Sequence, residues 1–186
     1  MFCLPGAPAL SQFRLERLLQ ALQGVDPRVR ALGSRLVHFV DAARALDEAE
    51  QELLGKLLTY GPRPHLQEER GQRLLVTPRL GTVSPWSSKA SDIAHVCGLE
   101  AVRRLERGTV YFLDAGDPLT EAELAALGPC LHDRMTETLW TGTLEPANVG
   151  DIGSLARPRR YRPEARRDQQ ALTALLLQVR PRPVRQ

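Results

Sequence analysis

Two four-residue strings constrain this chain's fold more than any other feature. Asp47-Glu48-Ala49-Glu50 and Thr120-Glu121-Ala122-Glu123 each set an oxygen-bearing side chain three residues ahead of a glutamate, the reciprocal pattern that closes a helix N-terminus. The first opens a helix through Leu53, Leu54, Leu57 and Leu58 that stops at Gly61-Pro62, and the second one through Leu124 and Leu127 that Gly128-Pro129 breaks. Ser11 caps another, whose Leu15, Leu18, Leu19 and Leu22 repeat at helical spacing until Gly24 and Pro27. From Ser88 a fourth runs through Ala90, Ile93, Ala94 and Cys97, with Gly98 just past its end. Between them lie β-rich runs around Leu36 to Val40 and from Arg73 to Arg79. Two further runs, Val102 to Leu105 and Thr109 to Leu113, flank Arg107-Gly108 and predict a hairpin, while Cys130 to Trp140 fits strand or helix.

The predicted order is β, α, β, α, β, α, β, β, α, without a dinucleotide-binding glycine fingerprint and with too few strand-helix-strand units for a doubly wound sheet. An α+β fold follows, a mainly antiparallel sheet with helices on one face. The halves, roughly 1–61 and 73–128, both run strand, helix, strand, helix, a ferredoxin-like pseudo-repeat with no visible residue-level repeat.

The formal charge of +3 conceals a split. Residues 157–186 hold nine arginines, no lysine and two acids (Glu164, Asp168), a net +7, whereas the body before them is net −4. Basicity thus belongs to the tail and gives no reason to treat the folded part as a nucleic-acid binder. Pro158, Pro163, Pro181 and Pro183 predict an extended, disordered tail, with Gln169 to Val179 the one possible short helix. The expected division is a folded domain over 1–145 and a divergent Arg/Pro-rich tail over 146–186. No apolar run approaches the roughly 18 residues that cross a bilayer, and Met1 to Pro5 lacks a leader pattern, so a cytoplasmic protein is expected. Cys3, Cys97 and Cys130 are few, odd in number and widely spaced, and read as small buried hydrophobes.

The densest unusual string runs from Pro78 to Ala94. It brings glycine, hydroxyls and Lys89 to a helix N-terminus, where free N–H groups favour an anion, but its spacing is not that of a phosphate-binding loop. The alternative is a structured loop in which Ser87 or Ser88 caps the helix and Trp86 packs down. His95-Val96-Cys97 and Cys130-Leu131-His132 superficially suggest metal ligands, yet in the first, residues two apart on a helix point to opposing faces, and a core cysteine beside an exposed histidine is expected. The charged string His132 to Glu137 reads as a solvated or ion-paired face rather than an acid/base pair.

The strings Pro78 to Leu99 and Arg103-Arg104-Leu105-Glu106-Arg107-Gly108 closely resemble phosphoribosylformylglycinamidine synthase of the large single-chain type. Further matches are Ala9 to Ser11 with Phe13-Arg14, Val37 to Asp41, Leu57 to Pro62 and Leu131 to Thr138, together spanning about residues 9–140. That enzyme makes formylglycinamidine ribonucleotide from formylglycinamide ribonucleotide in purine biosynthesis, using ATP, magnesium and ammonia from glutamine. The resemblance covers its N-terminal domain, which is similar to a PurS dimer fused into one chain. It implies a scaffold that packs on the synthetase domain, in cis or in trans, through Arg79, Thr82, Ser84, Trp86, Ser87, Ser88, Lys89, Asp92 and His95. No catalytic, cofactor-binding or metal residue is implied in this chain. The synthetase and glutaminase parts have no counterpart here, and the resemblance ends after Trp140, where a frameshifted or truncated frame is expected. The competing reading is a stand-alone interaction or RNA-binding module using the basic tail.

Overall fold

The computed structural model describes residues 2–61, 69–79 and 81–141. The elements are β1 (Phe2–Pro8), α1 (Gln12–Val25), β2 (Ala31–Ala42), α2 (Glu48–Leu57), β3 (Gln72–Pro78), α3 (Pro85–Val96), β4 (Val102–Asp114), α4 (Glu121–Leu131) and β5 (Glu137–Trp140). The strands form one antiparallel sheet in the order β1-β2-β4-β3-β5. This is the expected α+β class. The 145/146 boundary and the tail lie outside the described residues.

Cross-strand partners share a sheet face, so Leu32 with Leu113 and Val40 with Leu105 all point one way. All four helices pack on that face. Leu15 and Leu22 of α1 join Leu124, Leu127 and Leu131 of α4 over Leu32, Leu74 and Leu113. Leu54 and Leu58, at the end of α2, join Ala94 of α3 over Val40, Val102 and Leu105. The opposite face carries Val37, Phe39, Leu75, Val110 and Phe112, all buried as well. Both capping boxes form as predicted, Asp47 with Glu50 and Thr120 with Glu123.

Three expectations need correction. Helix α3 starts at Pro85 with Ser84 as its cap, because Ser84 Oγ accepts the Ser87 N–H and proline fits the first helical position. Helix α4 runs past Gly128-Pro129 to Leu131, since a proline in the last turn forfeits little of the hydrogen-bond ladder. The predicted hairpin at Arg107-Gly108 is instead the middle of one 13-residue strand, β4. Gly108 is there for close packing: a Cβ on it would lie 2.8 Å from the Val76 carbonyl oxygen and 3.2 Å from Leu75 Cδ1 and Phe39 Cε2.

A residue-level repeat does exist. The helix caps Ser11 and Ser84, and likewise Asp47 and Thr120, are 73 residues apart. At that spacing residues 37–58 align with 110–131 without a gap, and 11 of the 22 positions are identical, among them Phe39/Phe112, Asp41/Asp114, Leu54/Leu127 and Gly55/Gly128. In the sheet Leu36 pairs with Thr109, its own counterpart, so a pseudo-twofold axis passes through that pair. The chain is a duplicated βαβα unit closed by β5. Gly108→Ala is expected to lower stability by roughly 1–3 kcal/mol in chemical denaturation, because the backbone of β3 cannot retreat. Gly24→Ala, with nothing within 4 Å of the added carbon, should be neutral or raise stability by a few tenths to about 1 kcal/mol.

Candidate functional site

β3 pairs with β4 only from Thr109 to Leu113, which leaves the outer edge of β4 before Thr109 without a strand neighbour. Helix α3 takes that place. Ser87, Ser91 and His95 recur every four residues and so share one helix face. Ser87 Oγ donates to the Leu105 carbonyl at 2.5 Å, the Leu105 N–H donates to Ser91 Oγ at 2.9 Å, and His95 Nε2 donates to the Val102 carbonyl at 2.5 Å. Side chains of a helix thereby satisfy main-chain groups that a strand would otherwise have paired.

The N-terminus of α3 is also filled from within. The buried Glu106 carboxylate accepts from Ser84 Oγ at 2.7 Å and from the Ser84 N–H at 3.4 Å, and pairs with Arg104 at 2.9 Å. Arg104 reaches on to Ser87 Oγ and the Thr82 carbonyl. The Glu106 carboxylate thus stands at the N-terminus of α3, where a helix favours negative charge.

Trp86, on a different face of α3, covers a cluster that motif reading did not assemble. Its ring stacks on His38 with centroids 5.8 Å apart, and the Arg107 guanidinium lies 5.0 Å from its centre. His38 and Arg107 are direct cross-strand partners on β2 and β4. Tyr60 joins them: its hydroxyl is 2.7 Å from His38 Nε2. The other ring nitrogen of His38, Nδ1, is buried without a hydrogen bond among the described residues. Burial first, and the Arg107 charge second, push His38 down to about 4, while burial raises the Tyr60 phenol. Tyr60 and Trp86 also line, with Leu57, Leu58, Lys89, Ala90, Ile93 and Leu105, a groove of about 330 Å³ between α2 and α3.

Of the nine residues expected at a domain contact, Ser84, Ser87 and His95 hold α3 to β4, while Arg79, Thr82, Ser88, Lys89 and Asp92 are exposed and Trp86 is half-buried. His38, Tyr60 and Arg107 were missed as site residues, although each stood inside a string that carried the resemblance. The suspected metal pairs do not assemble: no group of three or more His, Cys, Asp or Glu among the described residues could hold an ion. His132 Nδ1 instead bonds the Gly128 carbonyl at 2.8 Å. Asp133 and Glu137 serve the turn before β5, where Asp133 accepts the Met135 N–H and Glu137 accepts the Asp133 N–H. The cysteines are less buried than expected, Cys97 being exposed at the end of α3 and Cys3 and Cys130 partly covered. No helix among the described residues is long and apolar enough to cross a membrane.

The family of the formylglycinamide ribonucleotide amidotransferase N-terminal domain matches residues 35–149, more than half of the chain. The match includes β2 from Arg35 onward, all of the α3 motif and the strands β3, β4 and β5. The chain belongs to this family. It is the N-terminal, PurS-like region of an amidotransferase of purine biosynthesis, the enzyme that the sequence resembles under its synthase name. The pseudo-twofold axis is the structural form of that PurS-like character, two copies of one unit in a single chain.

Ser91→Ala leaves the buried Leu105 N–H without an acceptor, and the variant is expected to lose about 1–3 kcal/mol in urea unfolding. His38 supplies a pH signature. Its ordinary value of 6.5 falls to about 4 on folding, so between those limits the unfolded chain binds a proton that the folded one refuses. Its contribution is full above pH 6.5 and is lost as pH falls towards 4, a change of roughly 3 kcal/mol. His38→Gln, which keeps an acceptor for Tyr60, should flatten stability against pH in that window. An unchanged slope would assign the proton elsewhere.

Proposed function

We propose that this chain is the non-catalytic scaffold of formylglycinamide ribonucleotide amidotransferase, packing on the synthetase portion and contributing no reacting group of its own. One observation carries the reading. Helix α3 divides its labour: Ser84, Ser87, Ser91 and His95 bind it to β4, while Trp86, Lys89, Ala90 and Ile93 turn towards the groove. A helix locked on one side and apolar on the other is built to present a surface. The docking surface in this reading comprises Arg79, Thr82, Trp86, Ser88, Lys89 and Asp92, with Ser84, Ser87 and His95 holding it in shape. ATP, magnesium and glutamine chemistry belong to the other portions of the enzyme, and the work of the assembly lies in the cytoplasm.

The test is complementation in trans. The full chain is added to the synthetase–glutaminase portion of a family enzyme made without its N-terminal domain. The expected result is a stoichiometric complex and recovery of ATP- and glutamine-dependent amidination that neither part shows alone. Absence of both complex and turnover refutes the scaffold.

A further inference from the structure

The pseudo-twofold axis makes α1 with α4 and α3 with α2 equivalent helix pairs, yet they differ. In the first pair α1 packs directly on α4. In the second, the groove of about 330 Å³ separates α3 from α2. The cause is legible at the 73-residue spacing. Leu18 and Leu22 of α1, which pack into the core shared with α4, are replaced in α3 by Ser91 and His95. Those two bond the edge of β4, so α3 is drawn to the sheet edge and away from α2. An apolar space that the other half fills with its own helix is left open among the described residues.

The charges around this space are selective. Lys89 is the one charged residue lining the groove, standing where the first half has Glu16, and it makes no ion pair among the described residues. Arg107, half-buried against Trp86, likewise has no carboxylate partner among them. Ile93 and Val96, 46% and 89% exposed, continue the apolar surface along α3. The groove on the other side of α2 is the reverse, with Glu48 and Glu52 beside Phe2 and Leu4. The α2–α3 groove is complementary to an apolar occupant that carries negative charge.

We infer that the α2–α3 groove seats an apolar segment of the synthetase portion bearing a carboxylate that pairs with Lys89, filling the place that direct helix packing fills in the other half. The inference rests on the scaffold reading and adds where contact is made and by what chemistry.

The experiment measures the affinity of the full chain for the synthetase–glutaminase portion, alongside Lys89→Glu, Ile93→Asp and, as a charge-matched control on α1, Arg14→Glu. All three sites are exposed, and unfolding midpoints check that the variants fold. Lys89→Glu and Ile93→Asp are each expected to weaken binding by about tenfold or more, Arg14→Glu by less than about twofold, and wild-type binding should fall with salt. Hydrogen exchange should slow at Leu57 to Tyr60 and Trp86 to Val96 in the complex. Wild-type binding that both groove variants retain overturns the inference and leaves the scaffold standing. No wild-type binding overturns both. Self-association of the chain that the same variants abolish, with no binding to the synthetase portion, makes the occupant a second copy and also overturns it.

Discussion

The antiparallel ladder between β2 and β4 is the contact on which the rest of the structure depends. It joins the two halves along the full length of β2, from Ala31 to Ala42, and its register sets Leu36 opposite Thr109, its own counterpart. Because side chains alternate between faces, that single register decides which residues meet the helices and which lie on the far side. A slip of β2 by one residue would turn Leu32 and Val40 away from the helices and set Val37 and Phe39 among them in their place. Gly108 belongs to the same constraint, since only a residue without a Cβ lets β3 approach β4 so closely there.

Duplication explains the symmetry of the sheet, and departures from it mark where the molecule does something other than fold. The helices that open with capping boxes, α2 and α4, keep Glu48/Glu121, Glu50/Glu123, Leu54/Leu127 and Gly55/Gly128 at matching places. The other pair, α1 and α3, diverges in chemistry. One is seated by leucines over the sheet, the other by serines and a histidine against a strand edge. Hydrogen bonds to a main-chain edge have direction and length, whereas apolar packing has neither, so α3 is held at a defined position that leaves a groove beside it. Tyr60 and Trp86 of the His38–Tyr60–Trp86–Arg107 cluster line that groove. Neutral histidine and a guanidinium share the cluster because burial keeps the imidazole from taking a second charge.

Much of this was legible residue by residue. Helical spacing announced all four helices, and local capping chemistry the starts of α2 and α4, whereas Ser11 makes no side-chain cap bond and α3 is capped by Ser84. The boundaries that failed did so where tertiary contact overrode local chemistry. Gly108 looked like a turn because glycine permits one, but in the sheet it answers a close approach from another strand. Ser87 looked like a cap because it precedes an apolar helical pattern, whereas its hydroxyl is committed to Leu105, a partner 18 residues away. The repeat escaped notice because identity concentrates in one stretch, from Val37 to Leu58 and its counterpart, while the helices before it share little.

By itself, then, the sequence determined the elements, the fold class and the family, since each rests on local patterns or on strings that can be matched without knowing what touches what. Only the tertiary structure decided which face of α3 is spent on the sheet and which remains open, and that His38, Tyr60, Trp86 and Arg107 meet. These four come from β2, the turn after α2, α3 and β4. Their encounter depends on strand register and on where a helix settles at a sheet edge, and both are consequences of packing that no spacing along the chain expresses.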